Sequence, residues 1–265
     1  MADMAVDPHH ADAHHDDHHG DHFTPEEALD NAKFATWLYL GSEVMIFTGM
    51  IVAYLVFRIY NPEAIALAKE HLSIQLVSAN TFLLLASSWA MVMGLRAIQQ
   101  GSNEGLARWM TVTVVMGTIF VALQVYEYVE LAHHGVVLTV PAEEEVAELV
   151  AAGTIPAWME EGIEGLQGSE AFADAEAAKG EPLTLTEEGT IVAQKLGQYG
   201  QRFYAPTAFH GAHVIVGVLW GLWIMGKGLR KQFTTERYAA VEVFGLYWHF
   251  VDVVWIVLFT FIYLI

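Results

Sequence analysis

The sequence holds no cysteine, which removes disulfides, thiolate metal sites, iron-sulfur clusters, thiol catalysis and the Cys-x-x-Cys-His haem attachment in one step. Basic charge is scarce as well: twelve Lys and Arg face 31 Asp and Glu in 265 residues, a net charge of -19. Phosphate binding needs a concentrated positive surface, so a nucleic-acid partner is not expected. Charge of either sign is thin, at 16% of residues, whereas 54% are hydrophobic and the mean hydropathy is +0.36. That balance is wrong for a water-soluble globular domain and points to a membrane. A redox centre on this chain would have to use nitrogen or oxygen ligands, so the thirteen His are the place to look.

The acids cluster. Residues 1–33 hold nine Asp and Glu and residues 130–203 hold fourteen, which leaves five apolar runs between and beyond them. These run from Phe34 to Phe57, Ser73 to Leu95, Trp109 to Tyr126, Phe203 to Met225 and Ala239 to Ile265. Each is long enough to cross a bilayer, for which about 20 residues suffice. The first run has Lys33 as its only basic flank and no small-residue cleavage site, so it reads as a span and not a signal peptide. The expected fold is therefore all-α, an integral membrane bundle of five transmembrane helices. The chain divides into a His- and Asp-rich tail (1–33), three spans (34–135), an acidic extramembrane insertion (136–202) and two further spans (203–265). The tail, with seven His and six Asp in its first 22 residues, is expected to be disordered, though its imidazoles could bind copper or zinc. One or two small helices are expected in the insertion, the first opening at Pro141.

Five spans put the termini on opposite sides. Lys33, Arg96, Arg108, Lys227, Arg230, Lys231 and Arg237 gather on the amino-terminal side, against Arg58, Lys69, Lys195 and Arg202 on the other. By the positive-inside rule the amino terminus is cytoplasmic and the carboxyl terminus outside.

Ionisable groups are costly in hydrocarbon, so the few inside the runs are the candidate functional residues. They are Glu43 in the first span, Gln124, Tyr126 and Glu127 in the third, His210 and His213 in the fourth, and Glu242, His249 and Asp252 in the fifth. Helical spacing sorts them into stripes: His210, His213, Gly217 and Gly221; Thr113, Gly117, Gln124 and Glu127; Glu242, Gly245, His249 and Asp252. Counting about 1.5 Å of rise per residue from the ends of the runs predicts two polar layers. Glu43 should meet His249, with Asp252 near, towards the inside. Gln124, Tyr126 and Glu127 should meet His210 and His213 towards the outside. Such layers serve either as interhelical hydrogen bonds or in chemistry. The ligands are too few for the usual haem or di-iron sites, so no metal or redox cofactor is expected in this chain. For Glu43, flanked by Val, Met, Ile and Phe, a structural role and a proton-handling role are both open, and it should be open to a hydrophobic carbodiimide.

Four segments carry a resemblance: Gly41-Ser42-Glu43-Val44-Met45-Ile46-Phe47, Leu123-Gln124-Val125-Tyr126-Glu127-Tyr128, Phe209-His210-Gly211-Ala212-His213-Val214, and Tyr247-Trp248-His249-Phe250-Val251-Asp252-Val253-Val254-Trp255. In this order they resemble subunit III of the heme-copper terminal oxidases, over roughly residues 34–135 and 203–265, in a five-span form lacking the first two helices of the long form. The insertion departs from the family's usual pattern. The resemblance implies an accessory subunit of a proton-pumping oxidase in the bacterial cytoplasmic membrane. Such a subunit packs against subunit I, contacts other oxidase subunits, binds structural phospholipid and supports proton uptake, while haem and copper stay in its partners. It also implies that Glu43 matches the family's intramembrane carboxylate, that Tyr39 sits at an aromatic position close to it, and that Lys227 lies near a lipid head group. A cytochrome c could reach the complex, with the outer acidic patch attracting it, but cytochrome c and quinol remain open as electron donors. The competing reading of the residues alone is a freestanding transporter or channel with a Glu and His proton relay.

Overall fold

A computed structural model describes residues 24–69, 72–133, 136 and 187–265. The His-rich tail before Thr24, the helix expected at Pro141 and most of the acidic insertion lie outside the described residues. Among these the chain is helical, with no β-strand. The helices are α1 (Pro25–Tyr60), α2 (Pro62–Lys69), α3 (Ile74–Gln99), α4 (Asn103–His133), α5 (Glu187–Leu229) and α6 (Ala239–Leu258), with a π-helical end at Phe259–Leu264. Among the described residues five segments are long and apolar enough to cross a membrane: Leu29–Tyr60, Ile74–Gln99, Asn103–Ala132, Gly197–Leu229 and Ala239–Leu264. The bundle has the expected five spans. Two boundaries differ, because α1 begins inside the expected tail at Pro25 and α5 begins inside the expected insertion at Glu187.

Local chemistry sets the helix ends. The Thr24 hydroxyl accepts from the Glu27 amide at 3.3 Å while the Thr24 amide donates to Glu27 Oε2 at 2.8 Å, a reciprocal cap with Pro25 as the first helical residue. At the other end Asn61 leaves helical geometry at φ -131° and ψ 58°, as the residue before Pro62 must, and Pro62 opens α2. The α3 to α4 turn is a Schellman motif. Gly101 at φ 81° donates to Ile98 O at 2.8 Å and Ser102 donates to Ala97 O at 2.9 Å, a left-handed position where glycine carries no Cβ penalty. The Ser102 hydroxyl then accepts from the Gly105 amide at 3.0 Å and caps α4. The same motif closes α5, with Lys231 at φ 53° in the left-handed place. The loop that follows is clamped by Asn103, whose side chain donates to Phe233 O at 2.9 Å and accepts from its amide at 3.3 Å.

Contacts fix the alternating course of the chain. Lys33 near the start of α1 pairs with Glu242 near the start of α6 at 2.6 Å, and Arg58 near the end of α1 reaches Phe261 O and Ile265 O at the far end. α1 and α6 thus run in the same direction, with α3 and α5 returning. One end of the bundle, here the near end, holds Lys33, Glu242 and the two short turns. The opposite, far end holds α2 and Arg58. Arg58 and Lys69 there donate to carbonyls of the last turn that have no helical partner.

The core is aromatic and close-packed. Trp248 of α6 lies on Gly117 of α4 and Gly217 of α5, where an added Cβ would come within 2.8 Å and 2.5 Å of its ring. Trp248 Nε1 donates to Ser87 Oγ at 3.0 Å and Trp255 Nε1 to Thr81 Oγ1 at 2.9 Å, which sets the register of α6 against α3. The outward face is apolar too, as Met45 and Phe82 show at 74% exposure each, a surface suited to hydrocarbon or another subunit.

Candidate functional site

Glu43 is buried, 9% exposed, on the inward stripe of α1 with Leu40, Phe47 and Tyr54. Its Oε2 lies 3.4 Å from Nε2 of His213 on α5, within ion-pair range but without hydrogen-bond geometry. The other ring nitrogen, Nδ1, lies 2.8 Å from Phe209 O; a carbonyl can only accept, so Nδ1 carries a proton. Nε2 is therefore the nitrogen left facing Glu43. Phe47, Phe209 and Tyr247 surround the imidazole, with ring centroids at 5.5, 4.7 and 6.4 Å, and Tyr247 donates to His213 O at 2.9 Å.

This pairing corrects the expected layers. Glu43 was expected to meet His249, and His213 to meet Glu127. The span of α5 begins at Gly197, so His213 falls midway along it, at the depth of Glu43 near the middle of the first span. Counting from Phe203 placed it too near the end. His249 instead turns to α3, with Nδ1 2.6 Å from Ser88 Oγ. Asp252 is buried beside it, 6% exposed, with Oδ1 lacking a hydrogen-bond partner. His249 also lines a cleft of about 360 Å³ between α1, α3 and α6 that touches Lys33, Trp37, Met91 and Glu242.

The far polar group also differs from the expectation. Glu127 Oε2 accepts from Gln124 Nε2 at 2.8 Å and from Tyr263 OH at 3.0 Å, not from either His. Tyr126 points away, 57% exposed, along a small cavity of about 120 Å³ shared with Ser73 and Glu127. His210 is fully buried, both ring nitrogens without a hydrogen-bond partner, stacked on Trp255 at 4.9 Å and edge-on to Phe120 at 5.8 Å. It is packed as an aromatic ring. Tyr39 is 45% exposed. Lys227 Nζ sits 3.9 Å over the Trp223 ring, a cation–π contact at the near end. Among the described residues no group of three or more His, Asp or Glu could hold a metal ion.

The partners of these groups include hydroxyls that the hydropathy of the sequence does not single out. Ser88, Ser87 and Thr81 lie on one face of α3, and Tyr263 is contributed by the π-helical end. Trp248 and Trp255, seven residues apart on α6, bond Ser87 and Thr81, six residues apart on α3, and mark two layers of one helix contact. Outside the spans, Glu27 has its carboxyl held below the ordinary range by the backbone and hydroxyl of Thr24. The Lys69 amine is pushed down by burial and by nearby Arg58.

Five apolar helices enclosing paired and hydrogen-bonded polar side chains define a multi-pass membrane protein whose buried groups knit helices together. Comparison with known families gives its kind: the description "Cytochrome c oxidase subunit III" matches residues 10–137 and 189–265, and the chain belongs to that family. It is 30% identical to a probable cytochrome c oxidase subunit 3 of Nocardia farcinica (strain IFM 10152), over 87% of this chain and 86% of the relative. It is 30% identical to the cytochrome c oxidase subunit 3 of Synechocystis sp. (strain ATCC 27184 / PCC 6803 / Kazusa), over 92% and 82%. A quinol oxidase subunit 3 of Bacillus spizizenii (strain ATCC 23059 / NRRL B-14472 / W23) is 25% identical over 86% and 84%. The chain is thus an accessory subunit of a heme-copper oxidase complex.

Proposed function

We propose that within this oxidase the chain is itself non-catalytic and serves the neighbouring reaction centre. It packs against subunit I, which with its companions holds haem and copper, and it contributes buried polar groups, bound phospholipid and support of proton uptake. The membrane is the bacterial cytoplasmic membrane, with the amino terminus inside, supported by the basic residues gathered at the near end. The observation that carries the reading is the Glu43 and His213 pair: a carboxylate and an imidazole face each other at mid-depth, with Nε2 turned to the carboxylate and Nδ1 to a backbone carbonyl. Breaking a buried pair strands one charge, so such a pair either stays intact or exchanges its proton. Tyr39, exposed one turn before Glu43, and Lys227 at the near end are the proposed lipid contacts. Relatives are named for both cytochrome c and quinol oxidases, so the donor is set by the other subunits.

The test is Glu43→Gln in the purified complex. Hydrophobic carbodiimide labelling of this chain should be lost, initial oxidase activity retained, proton uptake slowed and activity lost sooner during turnover. Unchanged uptake and unchanged durability would leave Glu43 as helix glue alone.

A further inference from the structure

At the far end the last turns of α4 meet the start of α3 around a cavity of about 120 Å³, lined by Ser73, Leu76, Tyr126, Glu127, Glu130 and Leu131. Its volume is that of about four water molecules. Glu127 is 4% exposed, and both of its hydrogen bonds fall on one oxygen: Gln124 Nε2 donates to Oε2 at 2.8 Å and Tyr263 OH donates to it at 3.0 Å. The other oxygen, Oε1, is enclosed and has no hydrogen-bond partner. Two donors converging on one oxygen fit an ionised carboxylate, because a proton would have to sit on Oε1, where no protein acceptor meets it. Both donors are neutral, so the buried charge is hydrogen-bonded but not balanced. Glu130, three residues on, brings a second carboxylate to the same cavity from the same face of α4. Ser73 lines it as the N-cap of α3, and its side chain makes no cap hydrogen bond, although serine in that place commonly does. Holding α4 to the π-helical end uses Oε2 alone and leaves Oε1 without a structural purpose.

We propose that this cavity is a binding site for a hard divalent cation, Ca²⁺, held by Glu127 Oε1, the Glu130 carboxylate and the Ser73 hydroxyl, with water completing the shell. An all-oxygen set suits a hard cation. Ca²⁺ accepts roughly six to eight oxygens in flexible geometry, whereas Mg²⁺ demands a regular octahedron and gives up its own water reluctantly. Two carboxylates balance the charge of the ion, which supplies the counter-charge that the neutral partners of Glu127 lack. They are fewer acids than a self-contained metal site would offer, so much of the shell is water and the affinity is that of weak extracellular calcium modules, a Kd of about 0.1–1 mM. The negative end of α4 and the positive end of α3 meet here and offset each other, leaving the carboxylates to set the field. Glu127 lies five residues inside the end of its span at Ala132 and Glu130 is exposed, so an ion reaches the site from water at the membrane boundary. Bound there, Ca²⁺ ties the last turns of α4 to the start of α3. The site shares no residue with the Glu43 and His213 pair and stands whether or not Glu43 handles protons.

Terbium luminescence of the purified oxidase complex, stripped with a chelator and excited through its aromatic side chains, tests the site. Tb³⁺ shares the oxygen preference of Ca²⁺, and Tyr126 on the cavity wall is a donor of excitation. The native complex should give a saturable emission that Ca²⁺ displaces at about 0.1–1 mM. Comparison of variants with the native complex cancels ions bound elsewhere. Glu127→Gln should abolish this component and Glu130→Gln should weaken it about tenfold, since affinity follows the charge of the ligands. Tyr126→Leu should dim it at unchanged affinity. Glu104→Gln, paired with Lys231 at the near end, should leave it as in the native complex. Should Glu127→Gln fail to assemble, the exposed Glu130 carries the test, because its change to Gln removes a ligand without touching the core. The proposal is overturned if Glu130→Gln binds Tb³⁺ and Ca²⁺ as the native complex does, if Glu104→Gln weakens binding as much, or if Ca²⁺ at about ten times that range leaves the emission in place.

Discussion

Gly217→Ala puts the packing of Trp248 to the test. The new methyl would lie 2.5 Å from Cζ3 and 2.7 Å from Cε3 of Trp248, with Tyr247 Cε1 at 3.3 Å. The indole has no free side to move towards, because Gly117 of α4 presses on Cη2 from the other helix and Nε1 is tied to Ser87 Oγ at 3.0 Å. Overpacking a tight core costs roughly 1–3 kcal/mol. Pulling Nε1 off its acceptor adds about 0.6 kcal/mol, the mean for an interhelical hydrogen bond in a membrane. The better helix propensity of Ala returns up to about 1 kcal/mol. The net loss should be about 1–3 kcal/mol after these terms are combined. Gly211, six residues earlier on the same helix and with nothing within 4 Å of its would-be Cβ, is the control, and Gly211→Ala should be neutral or slightly stabilising. The assay is denaturant unfolding of the subunit in mild detergent, followed by tryptophan fluorescence. Trp248→Leu should relieve the strain, so the double variant with Gly217→Ala should cost less than the sum of the two changes. Equal stability of the Gly217 and Gly211 variants, or strict additivity with Trp248→Leu, would refute the close-packing argument.

The helix caps supply the remaining predictions. Ser102→Ala removes the hydroxyl that accepts from the Gly105 amide, and should cost about 1 kcal/mol in thermal unfolding, with Ser102→Asn close to native. At the start of α1 the Glu27 carboxyl is held below its unfolded value of 4.5 by Thr24. A depressed carboxyl contributes stability that is present above pH 4.5 and is lost as the pH falls through the lowered folded value. Amide hydrogen exchange over the first turn of α1 should therefore accelerate on acidification below that point. Glu27→Gln should remove the pH dependence, and an unchanged profile in that variant would assign it to another group.

The spans were legible because a helix in hydrocarbon must be apolar along its length, and that property is local. The sites were legible in part: Glu43, Glu127, His210, His213, His249 and Asp252 all stand out as polar residues in apolar runs, and Glu43, Glu127, His210 and Asp252 are buried, with the His213 side chain 11% exposed. Their pairings were not legible. The depth of His213 depends on where α5 enters the apolar layer, and that helix extends back to Glu187 through sequence polar enough to read as a loop. A shift of a turn or so in the start of a span changes which layer a residue joins, and one such shift exchanged His249 for His213 as the partner of Glu43. Ser88 does not stand out in the sequence because a hydroxyl in a transmembrane helix can bond its own backbone and needs no partner to be tolerated.

Composition and hydropathy decided by themselves that this chain is a bundle of membrane-crossing helices, since the cost of burying backbone and charge in lipid leaves no other arrangement for such a sequence. Four short motifs on four helices were enough to indicate the family. Tertiary structure alone decided which buried group meets which. Proton exchange between two side chains depends on separations of a few ångströms between helices distant in sequence, and no local pattern encodes them.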